Sequence, residues 1–176
     1  MKILSIDQAL DGKCGFALLE EEKIVFTHLE EYKGIAKGKV RQRCYRFAVV
    51  LQQFVKTYDP DCLVTEIVRA YHQGMTNTNT VAALSQLQGV MNVVVPKDKP
   101  IYLVNTSSWQ AGMIRARRTR GQSKPDMKVL SAELIKTVYR MDVSHHIADA
   151  INMGIYVQRV KYELRKNVLE VLEGVS

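Results

Sequence analysis

Three acidic residues stand far apart in the chain, each at the end of an apolar run or inside one. Asp7 ends Ile3-Leu4-Ser5-Ile6, and Glu66 ends Cys62-Leu63-Val64-Thr65. Asp149 sits in His145-His146-Ile147-Ala148-Asp149-Ala150, just before the apolar stretch from Ile151 to Val157. Carboxylates drawn together from such places suit a pair of hard divalent cations. Those ions take oxygen ligands and align an attacking water against a phosphodiester.

Each acid alone has a duller explanation. An Asp ending a strand is as a rule a turn former or a helix cap, and Asp7 taken singly reads that way. Glutamate is a poor strand residue, and an unpaired carboxylate after a buried run is costly, so a metal or a salt bridge must satisfy Glu66. Asp149 has apolar neighbours on both sides, which leaves little exposed face for a solvated side chain. His146 lies three residues before it and shares its helical face. There an imidazole packs, ligates a metal or handles a proton. His145 points roughly 100° away. Asp142 and Asp126 read as surface or capping residues, and Asp11 as part of a turn.

The elements that must position these groups follow from periodicity. Residues 2–8, 14–19 and 24–29 read as three strands in an antiparallel meander. Apolar residues at helical spacing, Tyr45, Val49, Val50 and Phe54, mark a helix from Val40 to Tyr58 that Asp59-Pro60 ends. Leu63 to Ile67 is a short buried strand, parallel to the first because a helix precedes it. A polar loop over 71–79 leads to a helix from Thr80 to Val95. Ile101 to Val104 is the next strand, and Asn105-Thr106-Ser107-Ser108 offers N-cap chemistry to a short helix around Trp109. Residues 113–125 form a basic loop, and 125–140 and 144–165 two closing helices.

The order βββ-α-β-α-β-α-α matches an α/β sandwich of the RNase H-like kind, a five-stranded mixed sheet between helices. Asp7 on the first strand and Glu66 on its parallel neighbour would then project at one edge, where open α/β sheets build their sites. At 176 residues, with no repeat or linker, the chain reads as one domain, its core about 1–158 and a helical extension to 176.

The content of 47% hydrophobic and 24% charged residues is that of a soluble globular protein, but the net charge of +7 favours a polyanionic partner. Cys14, Cys44 and Cys62 are widely spaced, without a C-x-x-C pair, which argues against a zinc site or a disulfide framework. No apolar run approaches the roughly 20 residues that span a bilayer, so the expectation is a soluble intracellular protein with no membrane partner.

In these residues the chain resembles the RuvC-type Holliday-junction resolvases, in a small phage-like version. The resemblance rests on Ile3-Leu4-Ser5-Ile6-Asp7, Leu63-Val64-Thr65-Glu66 and His146-Ile147-Ala148-Asp149-Ala150. It is joined by Ala82-Ala83-Leu84-Ser85-Gln86-Leu87-Gln88-Gly89-Val90, similar to the family's helix after the second acid. It implies that Asp7, Glu66 and Asp149 are metal-binding catalytic acids, and that His146 holds the family's fourth active-site position, Asp in some members and His in others. It also implies Mg²⁺ or Mn²⁺, two ions per site, four-way junctions as substrate, ends that ligase can rejoin, and a homodimer. A phage-encoded member would work in the host cytoplasm. The chain departs from the family in having Gln8-Ala9 after its first Asp, where Pro-Gly is usual. Gly15 aligns loosely with the second-strand glycines, and the family's catalytic-loop lysine corresponds to either Lys124 or Lys128.

Two basic clusters are candidates for phosphate contact. One holds Lys33, Lys37, Lys39, Arg41, Arg43 and Arg46; the other Arg115, Arg117, Arg118, Arg120, Lys124 and Lys128. Tyr71, after Glu66, either stacks on an unpaired base or covers a loop. Rival readings are a nuclease of flaps or other branched nucleic acid, and a non-catalytic junction-binding module. An actin-like ATPase would need a second domain and glycine-rich phosphate loops, which this chain lacks.

Overall fold

The computed structural model describes residues 1–8, 12–35, 39–68, 78–114 and 126–173, with side chains for all of these except 78–80 and 161–173. Lys37, Tyr71, Arg115, Arg117, Arg118, Arg120 and Lys124 lie outside the described residues, as does Asp11.

The strands are β1 (Lys2–Gln8), β2 (Lys13–Glu20), β3 (Lys23–Glu31), β4 (Cys62–Glu66) and β5 (Ile101–Val104). The helices are α1 (Val40–Tyr58), α2 (Thr78–Val94), α3 (Thr106–Met113), α4 (Met127–Tyr139) and α5 (His145–Glu173). One sheet has the order β3-β2-β1-β4-β5. The first three strands are antiparallel, and β4 and β5 continue the sheet parallel to β1. This is the five-stranded mixed sheet expected. The last helix runs further than expected, and the short helix around Trp109 is present as α3.

Side-chain alternation along the strands sorts the core into two layers. Leu4, Ile6, Phe16, Leu18 and Leu63 pack with Phe47, Leu51 and Phe54 of α1 and with Leu87 and Met91 of α2. On the other face Ile3 and Val64 meet Trp109 of α3 and Met153 and Val157 of α5. Ala17 and Leu19 complete that face, against Ile135 of α4 and Ile151 and Ile155 of α5.

The buried stripe of α1 is Phe47, Val50, Leu51, Phe54 and Val55, spaced i, i+3, i+4, i+7, i+8. Tyr45 and Val49, expected on the apolar face, are instead 74% and 43% exposed. Tyr45 lies roughly 200° around the helix from Phe47, so one face cannot bury both. The helix stops where expected: Asp59 takes the left-handed conformation at φ 45°, and its N–H reaches the Val55 carbonyl at 3.1 Å.

Two glycines let helix α5 lie against the sheet. A Cβ at Gly15 would overlap the His146 carbonyl, and one at Gly154 would strike the Leu19 side chain. Among the described residues no helix is long and apolar enough to cross a membrane.

Candidate active site

The sheet register brings the first two acids together. Ile6 stands opposite Thr65 across the parallel β1–β4 pair. The Thr65 hydroxyl donates to the Ile6 carbonyl at 2.9 Å. Asp7 and Glu66 are each the next residue along, so both leave the sheet at the same edge. Asp7 follows Ile3 and Ser5 on the pleat, and Glu66 follows Cys62 and Val64, so both face the α5 layer. Helix α5 starts at this edge, and its first turns deliver His146 and Asp149.

Each acid is held by a different element. His146 Nδ1 lies 2.7 Å from Asp7 Oδ2, in a contact where the two side chains are only 4% and 13% exposed. A carboxylate has no proton to give, so the imidazole N–H donates. The sequence paired His146 with Asp149 through their common helical face; the structure puts its hydrogen bond on Asp7.

Glu66 receives the indole N–H of Trp109 at Oε1, 2.6 Å away. The Thr106 side chain bonds the same carboxylate, and Gln88 Nε2 donates to the Glu66 main-chain carbonyl at 2.7 Å. Asn105, offered as a capping residue for α3, makes no side-chain cap bond. Its carbonyl accepts instead from Ser108 and Trp109.

Asp149 takes a hydrogen bond from Ser131 of α4. Asn152, one turn further along α5, donates through Nδ2 to the Ser131 hydroxyl at 2.9 Å. That hydroxyl has one hydrogen, and Asn152 occupies it as an acceptor, so its own proton is directed to Asp149. Ser131 and Asn152 are fully buried.

The electrostatics join the three acids into one centre. Burial pushes the Asp149 carboxyl up to about 7, and the charges of Asp7 and Glu66 push the same way, against the Ser131 hydrogen bond and His146. Burial also raises Glu66, with Asp7 adding to the rise and the Trp109 and Thr106 bonds opposing it. Asp149 Oδ1 is buried and has no hydrogen-bond partner among the described residues.

Mutually repelling, partly buried carboxylates, one with an unused oxygen, fit hard divalent cations. Among the described residues no three His, Cys, Asp or Glu side chains close around a single ion. That is compatible with Mg²⁺, which is bound through one or two carboxylates and keeps water or substrate phosphate for its remaining positions.

The basic residues divide. Glu31, the last residue of β3, pairs with Lys13 and so lies at the end of the sheet where Asp7 pairs with Gly15. Helix α1 therefore starts from the acid edge, and Lys39 and Arg41 are exposed at that start. Arg43, expected to contact DNA, is only 4% exposed. Its Nη2 donates to the Ile35 carbonyl at 3.0 Å, and its guanidinium lies over the Tyr32 ring. It is turned inward because it falls on the buried face of α1. Lys33 and Arg46 are paired with Glu31 and Glu30 at 2.7 and 2.8 Å. Lys128 is exposed in the first turn of α4 and shares a shallow pocket with His145, Glu133 and Asp142. Asp126 caps α4 through the Lys128 N–H, as expected of it, and Asp142 is a surface residue beside Lys136.

The sequence did not single out Trp109, Thr106, Gln88, Ser131 or Asn152 as parts of the site. Two of them carried a signal. A buried tryptophan requires a partner for its N–H, and Asn152 is a polar residue inside the apolar run Ile151-Asn152-Met153.

No protein-family model and no curated protein matches the sequence. Solved structures do match in shape. RuvC of Thermus thermophilus in complex with a Holliday-junction substrate superposes with a TM-score of 0.65 at 12% identity, over 89% of this chain and 92% of that one. A second Thermus thermophilus RuvC structure gives 0.63 at 12% identity, over 92% and 97%. The yeast mitochondrial Holliday-junction resolvase Ydc2 gives 0.57 at 13% identity, over 93% and 80%. The meander, the two parallel strands and the closing helix carrying Asp149 thus have the RNase H-like α/β fold that the RuvC-type Holliday-junction resolvases also have.

Proposed function

We propose that this protein is a divalent-metal-dependent endonuclease that cuts branched DNA, four-way junctions above all. The observation that carries the proposal is the delivery of Asp7, Glu66 and Asp149 from β1, β4 and α5 to one edge of the sheet, where Asp149 Oδ1 is buried with no hydrogen-bond partner among the described residues. Three mutually repelling, partly buried anions are costly unless cations join them. The Thermus thermophilus RuvC of the same fold was solved with a Holliday-junction substrate, which supports the same substrate class here.

Asp7, Glu66 and Asp149 would hold the cations, Mg²⁺ or Mn²⁺ and two per site, with His146 at their margin. Bound there, such ions supply activation of the attacking water and neutralisation of charge on the leaving oxygen. The protein's own part is orientation. His146 fixes the rotation of the Asp7 carboxylate, and Ser131 that of Asp149. Burial on the α5 side keeps bulk water from competing for their lone pairs.

Lys39 and Arg41 would grip the DNA backbone. They stand where the first N–H groups of α1 point outward, with no acid in that first turn to cancel them. A four-way junction has paired strands to cut, and a two-fold dimer would present one site to each.

The test is cleavage of four-way, three-way and flap substrates by Asp7→Asn, Glu66→Gln and Asp149→Asn variants in Mg²⁺, in Mn²⁺ and in EDTA. Each variant is expected to bind the junction and to cut it at least about 100-fold more slowly, as loss of a metal ligand implies. Unimpaired cutting by any one variant removes that residue from the site. Junction binding without cleavage by the wild-type chain in either metal would make it a binding module.

A further inference from the structure

The residue that ties helix α3 to the acid centre is Trp109, the only tryptophan of the chain. It is 1% exposed, packed with Ile3, Val64, Val104, Met153 and Val157. Its ring is thus locked among residues of β1, β4, β5 and α5. Its one polar atom, Nε1, is spent on Glu66 Oε1 at 2.6 Å. A buried indole N–H would be satisfied as well by any main-chain carbonyl. That it meets a carboxylate at the sheet edge gives it a role beyond packing.

We propose that Trp109 is a positioning residue for Glu66: its indole N–H fixes the rotation of the carboxylate and determines which lone pairs remain for a divalent cation. The inference rests on the metal-dependent reading of the site. A glutamate has a longer and freer side chain than an aspartate, and it loses more rotamer entropy when it is held for an ion. The Trp109 bond, with that of Thr106, places this ordering cost in the folding of the protein rather than in cation binding. Helix α3 thereby becomes part of the site although it carries none of the acids. Because the same indole is the chain's sole strong emitter, its fluorescence reports directly on the Glu66 carboxylate.

The test joins calorimetry with fluorescence on the full chain. Wild-type protein titrated with Mg²⁺ should show a saturable change in Trp109 emission, and Glu66→Gln should abolish it. Trp109→Phe keeps a buried ring and deletes the N–H. It should retain cooperative unfolding yet bind Mn²⁺ about 10–100-fold more weakly by calorimetry, with kcat lowered and the KM for junction little changed. If the phenylalanine variant does not fold, the benzothiophene isostere of tryptophan at position 109 preserves the shape without the donor and should show the same weakening. Mn²⁺ binding at wild-type affinity by a folded variant that lacks the donor overturns the proposal. A wild-type chain that binds no Mn²⁺ overturns the metal-dependent reading itself, and this inference with it.

Discussion

Gly15 lies directly against the main chain of His146: a Cβ at position 15 would overlap the His146 carbonyl and crowd the Ile147 nitrogen at 2.9 Å. Gly15 is also the residue paired with Asp7 across β1 and β2. One missing side chain therefore lets α5 descend onto the strand pair at the place where His146 meets Asp7.

Gly15→Ala should accordingly cost about 1–3 kcal/mol of stability, since the obstacle is backbone and cannot rotate away. It should also reduce cleavage by more than the stability loss explains, because it displaces His146 and Asp149 together. Gly154→Ala provides the control. It meets mainly the far end of the Leu19 side chain, so it should cost less and leave cleavage near wild type. Calorimetry and junction cleavage on the two variants check both statements; equal losses of activity would contradict them.

The metal-free protein should lose stability as pH rises through the range where Asp149 titrates. Its folded carboxyl is held up to about 7, against 3.8 ordinarily. The folded chain therefore keeps a proton that the unfolded chain has already released. Between those two values the unfolded state binds fewer protons, and unfolding becomes easier with rising pH. Glu66, also raised, adds in the same direction. Melting in EDTA at about pH 5 and about pH 8 should show the decline, and Asp149→Asn should flatten it. Mg²⁺ should oppose it by binding the ionised carboxylates. Ser131→Ala, which removes the hydrogen bond holding Asp149 down, should move the window to higher pH.

Much of the candidate site was legible in the chain because its acids break strong patterns. Asp7 and Glu66 each interrupt a buried strand at its end, and Asp149 stands in an apolar helical run. What supports them was not legible, for a physical reason. Trp109 and Ser131 have ordinary core roles in any helix, and only the folded register shows which polar atom each one meets. Arg43 of the first basic cluster misled in the opposite way. A run of Lys and Arg reads as one surface, but α1 rotates 100° per residue. Arg43 falls on the stripe with Phe47 and Val50, whereas Arg41 does not, and Lys39 precedes the first turn as its N-cap residue.

Arg43 should therefore matter for folding and not for DNA. Arg43→Ala removes a charged hydrogen bond to the Ile35 carbonyl and the stacking on Tyr32. It should lower stability by about 1.5–3 kcal/mol while leaving junction affinity and its salt dependence unchanged. Lys39→Ala and Arg41→Ala should do the reverse: removing one phosphate-binding cation reduces the slope of log affinity against log salt by about one. Fluorescence anisotropy across a salt series separates the two behaviours. An Arg43→Ala chain with a shallower salt slope would put that side chain on the DNA after all.

On the proposed function, Asp7, Glu66 and Asp149 share divalent cations while DNA lies over them. Anomalous diffraction at the manganese edge, from crystals of the protein with a four-way junction in Mn²⁺, tests it most directly. Manganese peaks bounded by these three carboxylates, with a junction phosphate alongside, are the expected result. A junction bound elsewhere on the protein, with no manganese between the acids, would contradict it.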